Sequence, residues 1–205
     1  MTDLDIFLPR IMPYAPGCPE PTAHAAILDA ARTFCERTRL WRDEDSFEIT
    51  GDTCNVICVP DGAELFEIET ASWDDSPLEP IAFADLERDH PTWRTDDGSP
   101  RFISQAGMDS IVLAPRGSTG TLRLRLFLKP STSADELPDF LAKHYLRVIA
   151  DGALAEILMI PQQPFTSPEL ATFYSERFAQ QLDALFARNI KGQQRAPART
   201  RPSYL

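Results

Sequence analysis

The sequence predicts an α+β fold: a three-helix bundle body with an antiparallel β insertion, an extended N-terminal arm and a disordered C-terminal tail. Apolar residues recur at helical spacing in residues 20–44 and 129–191, and they alternate with period 2 in residues 45–128. A run of strands between runs of helices is typical of the α+β class. With 205 residues, 43% of them hydrophobic, the chain can bury the core of one such domain.

Residues 1–19 form the predicted arm. Pro9, Pro13, Pro16 and Pro19 recur every three or four residues, a spacing that disfavours a continuous helix. The apolar side chains between these prolines need cover, either from the chain's own body or from a neighbouring copy. Both alternatives remain open at the level of sequence, and Tyr14 is a candidate residue for contact with another copy.

A first helix is predicted from Glu20 to Trp41, because Ile27, Phe34 and Trp41 recur every seven residues. Trp41 and the other two tryptophans, Trp73 and Trp93, each stand at the end of a predicted element. Indole rings in such places act either as lids on a small core or as anchors at a protein interface. Trp41 is therefore a second candidate for an oligomer interface.

Short strands are predicted between residues 45 and 128. In the last of them, leucines at positions 122, 124, 126 and 128 alternate with Arg123 and Arg125, as expected for an antiparallel sheet with one solvent-exposed face. Gly51 with Asp52, and the segment 117–120, are interpreted as turns between strands. A short helix is predicted over residues 83–88.

Two helices are predicted to close the fold. Ser133 and Glu136 have capping-box spacing, which predicts a helix from residue 133 to about residue 159. The small residues Gly152 and Ala153 would admit a neighbouring helix and are further candidates for an oligomer interface. The last helix is predicted to begin at Ser167, Pro168 and Glu169 and to end at Gly192.

The charge divides unevenly along the chain. Residues 188–205 hold five cations and no acid, so the remaining chain has 15 basic and 31 acidic residues, a net charge of −16. A body of that sign argues against a nucleic-acid binder that works through bulk charge. If the body lines a channel for the genome, an acidic wall would repel DNA phosphates, while the basic tail binds an acidic partner.

The search for catalytic or metal-binding motifs finds none of the common ones. Asp89 and His90 are adjacent, but adjacency on a loop does not orient an imidazole for catalysis. Cys54 and Cys58 are too far apart on a regular strand to share one zinc ion, and the four cysteines are predicted to be free thiols. No cofactor, metal, signal peptide or membrane span is predicted.

Six segments carry a resemblance to a known family: residues 8–21, 34–41, 86–93, 129–130, 137–139 and 152–155. In this order they resemble the head-to-tail adaptor proteins of tailed bacteriophages, and they span nearly the whole chain. The resemblance implies a non-enzymatic protein of the virion neck, made in the host cytoplasm. It implies a ring, expected to hold twelve copies, between the portal protein and a tail or nozzle protein, with genomic DNA passing through without specific binding.

Transferred to this chain, the resemblance implies that residues 192–205 reach the portal, through Arg195, Arg199, Arg201, Tyr204 and Leu205. The β insertion would face the tail or the outer neck. Two other functions remain open at this level. The tail arginines could serve a DNA-binding packaging factor, and abundant carboxylates such as Glu44 and Asp45 could serve a cell-wall hydrolase.

Overall fold

The helical and alternating segments of the sequence form two parts of the molecule, one helical and one built on a sheet. The computed structural model describes residues 1–190, except for the side chains of residues 51–55, 57, 117 and 118. The helices are α1 (Leu8–Ile11), α2 (Glu20–Thr38), α3 (Phe83–Asp89), α4 (Asp139–Ile157) and α5 (Pro168–Ile190). The strands are β1 (Thr2–Asp3), β2 (Arg42–Ile57), β3 (Ala63–Trp73), β4 (Ser76–Pro77), β5 (Glu79–Pro80), β6 (Phe102–Gln105), β7 (Ser110–Pro130) and β8 (Glu136–Leu137). The predicted α+β class is confirmed.

The N-terminal segment is compact, which corrects the predicted extended arm. A 3₁₀ helix, Leu4–Phe7, leads directly into α1, where Pro9 occupies the first turn. Proline is tolerated there because an N–H at that position has no intrahelical partner. Phe7 and Ile11 are fully buried against the helical part. The prolines therefore divide the segment into short turns that pack on the chain's own body.

Three long helices, α2, α4 and α5, contact one another pairwise and share one hydrophobic cluster with the N-terminal segment. Phe34 of α2 lies against Tyr145 of α4, with ring centroids 4.8 Å apart. The predicted buried positions Ile27 and Phe34 are confirmed. The helix itself ends earlier than predicted, at Thr38, because Arg39 adopts a left-handed conformation (φ 52°) and releases the chain toward β2.

The capping box predicted at Ser133 is wrong. Helix α4 begins at Asp139, directly after Pro138, and ends at Ile157. The residues before it, Glu136 and Leu137, pair with Thr2 and Asp3 in a small antiparallel sheet. Strand pairing and a proline thus take the place of the helical turn that the local pattern indicates. The start predicted for the last helix, by contrast, is confirmed by α5.

Strand β7 is the centre of the main sheet. It pairs antiparallel with β2, β3 and β6, while β5 pairs parallel with β6. The predicted alternation is confirmed: leucines 122, 124, 126 and 128 are buried, whereas Arg123 is exposed. These leucines share a cluster with Ile111 and Leu113 from the other end of β7. The two ends of this 21-residue strand therefore enclose one core.

The turns predicted at Gly51–Asp52 and at residues 117–120 are wrong. Both segments lie within continuous strands, and the β2–β7 pairing shifts register between Thr50 and Thr53 and again before Asn55. Such shifts bend a strand pair without reversing the chain. At Gly120 a Cβ atom would lie 2.5 Å from Cζ2 of Trp73, so the indole packs directly on the glycine backbone. Glycine marks a bend here.

The opposite face of β7 is covered by α3, which confirms the predicted short helix. Val112 and Ala114 alternate with Ile111 and Leu113, and they form a small third cluster with Leu86 and Trp93. Trp73 and Trp93 are 3% and 4% exposed, so both act as internal lids. Neither indole is available to another protein in this structure.

A polar network joins the helical part to the sheet. Arg32 of α2 binds Glu64 of β3 at 3.0 Å and donates to the Pro130 carbonyl at the end of β7. The other Glu64 oxygen accepts the Thr132 amide, and Lys129 binds Glu36 of α2 at 2.7 Å. Burial alone would raise the pKa of Glu64, but the hydrogen bonds from Arg32 and Thr132 and the nearby cations hold it below its ordinary value.

Replacing Gly120 with alanine is expected to lower the free energy of unfolding by about 2 kcal/mol, because the Trp73 ring has to move out of its packed position. Gly98→Ala is the matched control, since a Cβ there meets only atoms at 3.9 Å. Urea unfolding of both variants measures the difference. Equal stability of the two variants would contradict the close packing at Gly120.

Glu64→Gln is expected to lower the free energy of unfolding by about 2 kcal/mol at pH 7, because it removes the charge that the partly buried Arg32 requires. The folded pKa of Glu64 is depressed, so its contribution is complete above the ordinary value of 4.5 and is lost as the pH falls through the folded pKa. The stability difference between the wild type and E64Q should therefore shrink toward pH 3.

The control for this substitution is Glu67→Gln, on the same strand. Glu67 pairs with Arg39 at an exposed position, where an ion pair contributes about 0.5 kcal/mol at most. Urea unfolding of both variants between pH 3 and pH 8 gives the comparison. A loss in E64Q that does not change with pH would show that the carboxylate charge is not what stabilises the junction.

Candidate interaction surface

A surface rich in aromatic and arginine side chains lies where the N-terminal segment crosses α4 and α5. We call it the aromatic–arginine surface and define it by Arg10, Tyr14, Arg147, Phe173, Tyr174 and Arg177. Arg10 and Tyr14 come from α1 and the turn after it, Arg147 comes from α4, and the remaining three come from α5. Except for Phe173, these residues line one shallow hollow.

The local fold holds Tyr14 at this surface. Ile11 and Ala15, on either side of it, are fully buried, and Gly17 (φ 83°) turns the chain into α2. Tyr14 itself is 53% exposed, and the edge of its ring meets Tyr174 at a centroid distance of 5.9 Å. Burial, together with the neighbouring Tyr14, raises the pKa of Tyr174, so its hydroxyl stays protonated at neutral pH.

Arg177 is fixed by a buried carboxylate. Its Nε and Nη2 atoms donate to the two oxygens of Asp151 at 2.7 and 2.5 Å, and Gln181 donates to the same carboxylate at 3.1 Å. The guanidinium lies over the rings of Phe173 and Tyr174, 5.7 and 5.5 Å from their centroids. A bidentate pair and two ring contacts leave Arg177 little freedom, so it supports the aromatic rings rigidly.

The surface has unbalanced positive charge. Asp151 neutralises Arg177, but the exposed Arg10 and Arg147 form no ion pair with the residues described. Phe173 is 53% exposed beside them. Tyrosine, phenylalanine and arginine are enriched in the energetically important parts of protein interfaces. The arrangement is suited to bind an acidic protein surface, with the aromatic rings supplying the apolar contact.

The residues predicted for an oligomer interface are scattered. Only Tyr14 lies on the aromatic–arginine surface. Trp41 is half-buried at the junction, in contact with both the helical and the sheet clusters. Gly152 and Ala153 are buried within the chain, and a Cβ on Gly152 would lie 2.9 Å from both Ala30 and Phe178. Packing among the chain's own helices accounts for these two small residues, and we do not carry them into an interface.

The predicted portal-binding residues, Arg195, Arg199, Arg201, Tyr204 and Leu205, lie outside the described part of the chain. The end of the described chain is held by side-chain hydrogen bonds. Near the end of α5, the side-chain amide of Asn189 donates to the carbonyls of Thr38 and Arg39 at 2.8 and 2.9 Å. Arg42 of β2 in turn donates to the Asn189 oxygen at 2.9 Å. The described chain therefore ends at the junction of its two parts.

The residues considered for catalysis have structural partners. The Asp89 carboxylate accepts two hydrogen bonds from Arg88, while the His90 ring lies 4.7 Å from that of Phe102. Glu44 binds Arg125, and Asp45 accepts the Ser46 amide. Among the described residues no group of three or more histidine, cysteine or acidic side chains could hold a metal ion. No described helix is long and apolar enough to span a membrane.

The cysteines that the structure describes are buried free thiols, as predicted: Cys18, Cys35 and Cys58. Burial raises the pKa of Cys35 far above its ordinary value and, with the charges of Asp109 and Asp43, raises the pKa of Cys58 to about 11. Both thiols are therefore protonated and unreactive at neutral pH. The side chain of Cys54 lies outside the described part.

Most of the aromatic–arginine surface was not predicted from the sequence. Arg10, Arg147, Phe173 and Arg177 sit on three separate elements, and only tertiary packing brings them together. One local signal did exist. Phe173 lies off the apolar stripe of its helix, which predicts an exposed aromatic ring with Arg177 one turn away.

Comparison with known proteins agrees with the absence of catalytic motifs in the sequence. No curated protein matches the chain. A family model described as the SU10 adaptor protein matches residues 4–202, which is nearly the whole length. That family implies a structural, non-enzymatic adaptor protein of a bacteriophage. On this match, the chain belongs to the SU10 adaptor protein family.

Proposed function

We propose that the chain is a head-to-tail adaptor of the virion neck. Copies form a ring, expected to number twelve, that docks on the portal protein and offers an attachment surface to a tail or nozzle protein. The single observation that carries this proposal is the family match over residues 4–202. Within such a ring, a three-helix body of α2, α4 and α5 would form the wall, and the β insertion would face the tail or the outer neck.

The position of residue 190 supports a portal contact through the C-terminal tail. Asn189 ties the end of α5 to the end of α2 and to the start of β2, so the tail leaves the body from a fixed point. Residues 192–205 contain Arg195, Arg199 and Arg201 and no acidic side chain. A short basic segment that becomes ordered on a partner binds with modest affinity per contact, and repetition around a ring multiplies that affinity.

The charge of the body supports passage of DNA without specific binding. Outside residues 188–205 the chain carries a net charge of −16, which repels phosphates at short range. This charge is not reversed by Arg42, Arg123 and Arg125 of the sheet or by Arg39 after α2, because each of them pairs with a carboxylate. These pairs also count against DNA binding by the sheet, because a DNA-binding face needs free cations.

Ending the chain after Lys191 is expected to abolish binding to the portal ring, because it removes the proposed portal contacts without touching the core. Sedimentation of the chain with purified portal rings measures the effect. The matched control is the full-length chain with Tyr204→Ala and Leu205→Ala, which keeps all the tail cations and should retain part of the binding.

Thermal unfolding of the shortened chain checks that its body is intact, and its midpoint should equal that of the full chain. Portal binding that survives the truncation unchanged would contradict the assignment of the tail. Binding to duplex DNA that weakens steeply with salt would instead favour the packaging factor.

A further inference from the structure

Helix α4 carries unbalanced charge of opposite sign on opposite sides. Arg147 and Glu156 are nine positions apart, which corresponds to about two and a half turns at 3.6 residues per turn. Their side chains therefore leave the helix in opposite directions. Arg147 belongs to the aromatic–arginine surface, and Glu156 lies on the side of α4 that faces α2. Both side chains are exposed.

Glu156 stands beside a second acid. Helices α2 and α4 approach each other closely at Ala30 and Gly152. Asp29 directly precedes Ala30, and Glu156 follows Gly152 by one helical turn. We call Asp29 and Glu156 the carboxylate pair. Desolvation by the neighbouring protein atoms and the charge of Asp29 raise the pKa of Glu156 to about 7. Neither acid forms an ion pair with any described residue, so two carboxyl groups face each other without a cation.

The two surfaces match each other in chemistry as well as in charge. Among the residues that the structure describes, Arg10 and Arg147 are two exposed cations without ion-pair partners, and the carboxylate pair is two exposed acids without ion-pair partners. Apolar surface lies beside each set. Phe173 is 53% exposed beside the cations, and Met159, one turn beyond Glu156, is 58% exposed. Thioether and aromatic groups pack favourably together.

We propose that the aromatic–arginine surface of one copy docks on the carboxylate pair of the next copy, with Arg147 and Arg10 meeting Glu156 and Asp29. The proposal rests on the ring of the proposed function and names the faces that build it. Two different faces of one chain make a head-to-tail contact, which closes into a ring when the rotation between copies closes. A second copy is the occupant favoured because this one chain carries both complementary charge sets, on opposite sides of one helix.

A cysteine pair, Arg147→Cys with Glu156→Cys, tests the contact in the full-length chain. Within one copy the two positions are separated by about 13 Å along the axis, at 1.5 Å per residue, and point apart, so they cannot form an internal disulfide. Under mild oxidation a head-to-tail contact is expected to give covalent oligomers larger than dimers. Each single variant can give dimers at most.

The control pair is Arg88→Cys with Glu156→Cys, because Arg88 is an exposed arginine on α3, outside the aromatic–arginine surface. The unmodified chain controls for the native thiols. Oligomers that form equally well with the control pair would overturn the inference, since random collision would then explain them. Oligomers confined to the Arg147 and Glu156 pair support it.

Charge reversal tests the electrostatic part. Arg147→Glu alone and Glu156→Arg alone should each reduce self-association at least tenfold, because each places like charges opposite one another. The double variant R147E/E156R restores opposite charges and should recover most of the association. Failure of the double variant to recover any association, with its thermal midpoint unchanged, would overturn the pairing.

Repeating these experiments with portal rings present separates this inference from the proposed function. A wild-type ring on the portal, combined with no disulfide between positions 147 and 156, would overturn the inference and leave the adaptor function in place. No ring under any condition would overturn the adaptor function itself. If R147E weakens portal binding but leaves self-association unchanged, the aromatic–arginine surface belongs to the portal contact and the inference is wrong.

Discussion

The fold depends on one largely buried ion pair, between Arg32 of α2 and Glu64 of β3. The β insertion leaves the helical part through β2 and returns through the end of β7, so two strands alone would leave its orientation poorly defined. Arg32 removes this freedom because it binds Glu64 and the Pro130 carbonyl together. Lys129, which precedes Pro130 in β7, adds a second link through its ion pair with Glu36 of α2. Since both partners are largely buried, breaking the pair would leave a charge without compensation.

This junction is also where the described chain ends. Asn189 joins the last turn of α5 to the carbonyls that terminate α2, and Arg42 extends the contact to β2. Three elements distant in sequence are therefore held at one point, from which residues 191–205 continue. An adaptor must transmit the position of one partner to another, and a rigid junction between helices and sheet meets that mechanical requirement.

Sequence patterns were most reliable where one physical effect dominated. The helical repeat of Ile27 and Phe34 and the leucine alternation of β7 both reflect burial of apolar surface, and both predictions were correct. Glycine, proline and helix-capping residues predicted the structure less reliably, because their effect depends on the surrounding fold. Gly120 admits a tryptophan ring at a strand bend, where the local sequence indicates a turn. Pro9 lies in the first turn of the short helix α1, so the prolines separate short turns and do not extend the chain into an arm. The capping pattern at Ser133 does not start a helix, because residues 136–137 pair as a strand with residues 2–3, which are remote in sequence.

The candidate interaction surface was harder to predict than the fold, because its cations become significant only once tertiary packing shows which arginines lack partners. Arg177 and Arg147 are similar in sequence terms, yet Asp151 neutralises the first, while the second has no ion-pair partner in the part of the chain that the structure describes. The central claim is that copies of this chain build the ring between portal and tail. An electron cryomicroscopy structure of the full-length chain bound to portal rings tests it most directly. The account predicts a closed ring of copies, with the ends of α5 directed toward the portal. Isolated copies bound without contact to one another would contradict it.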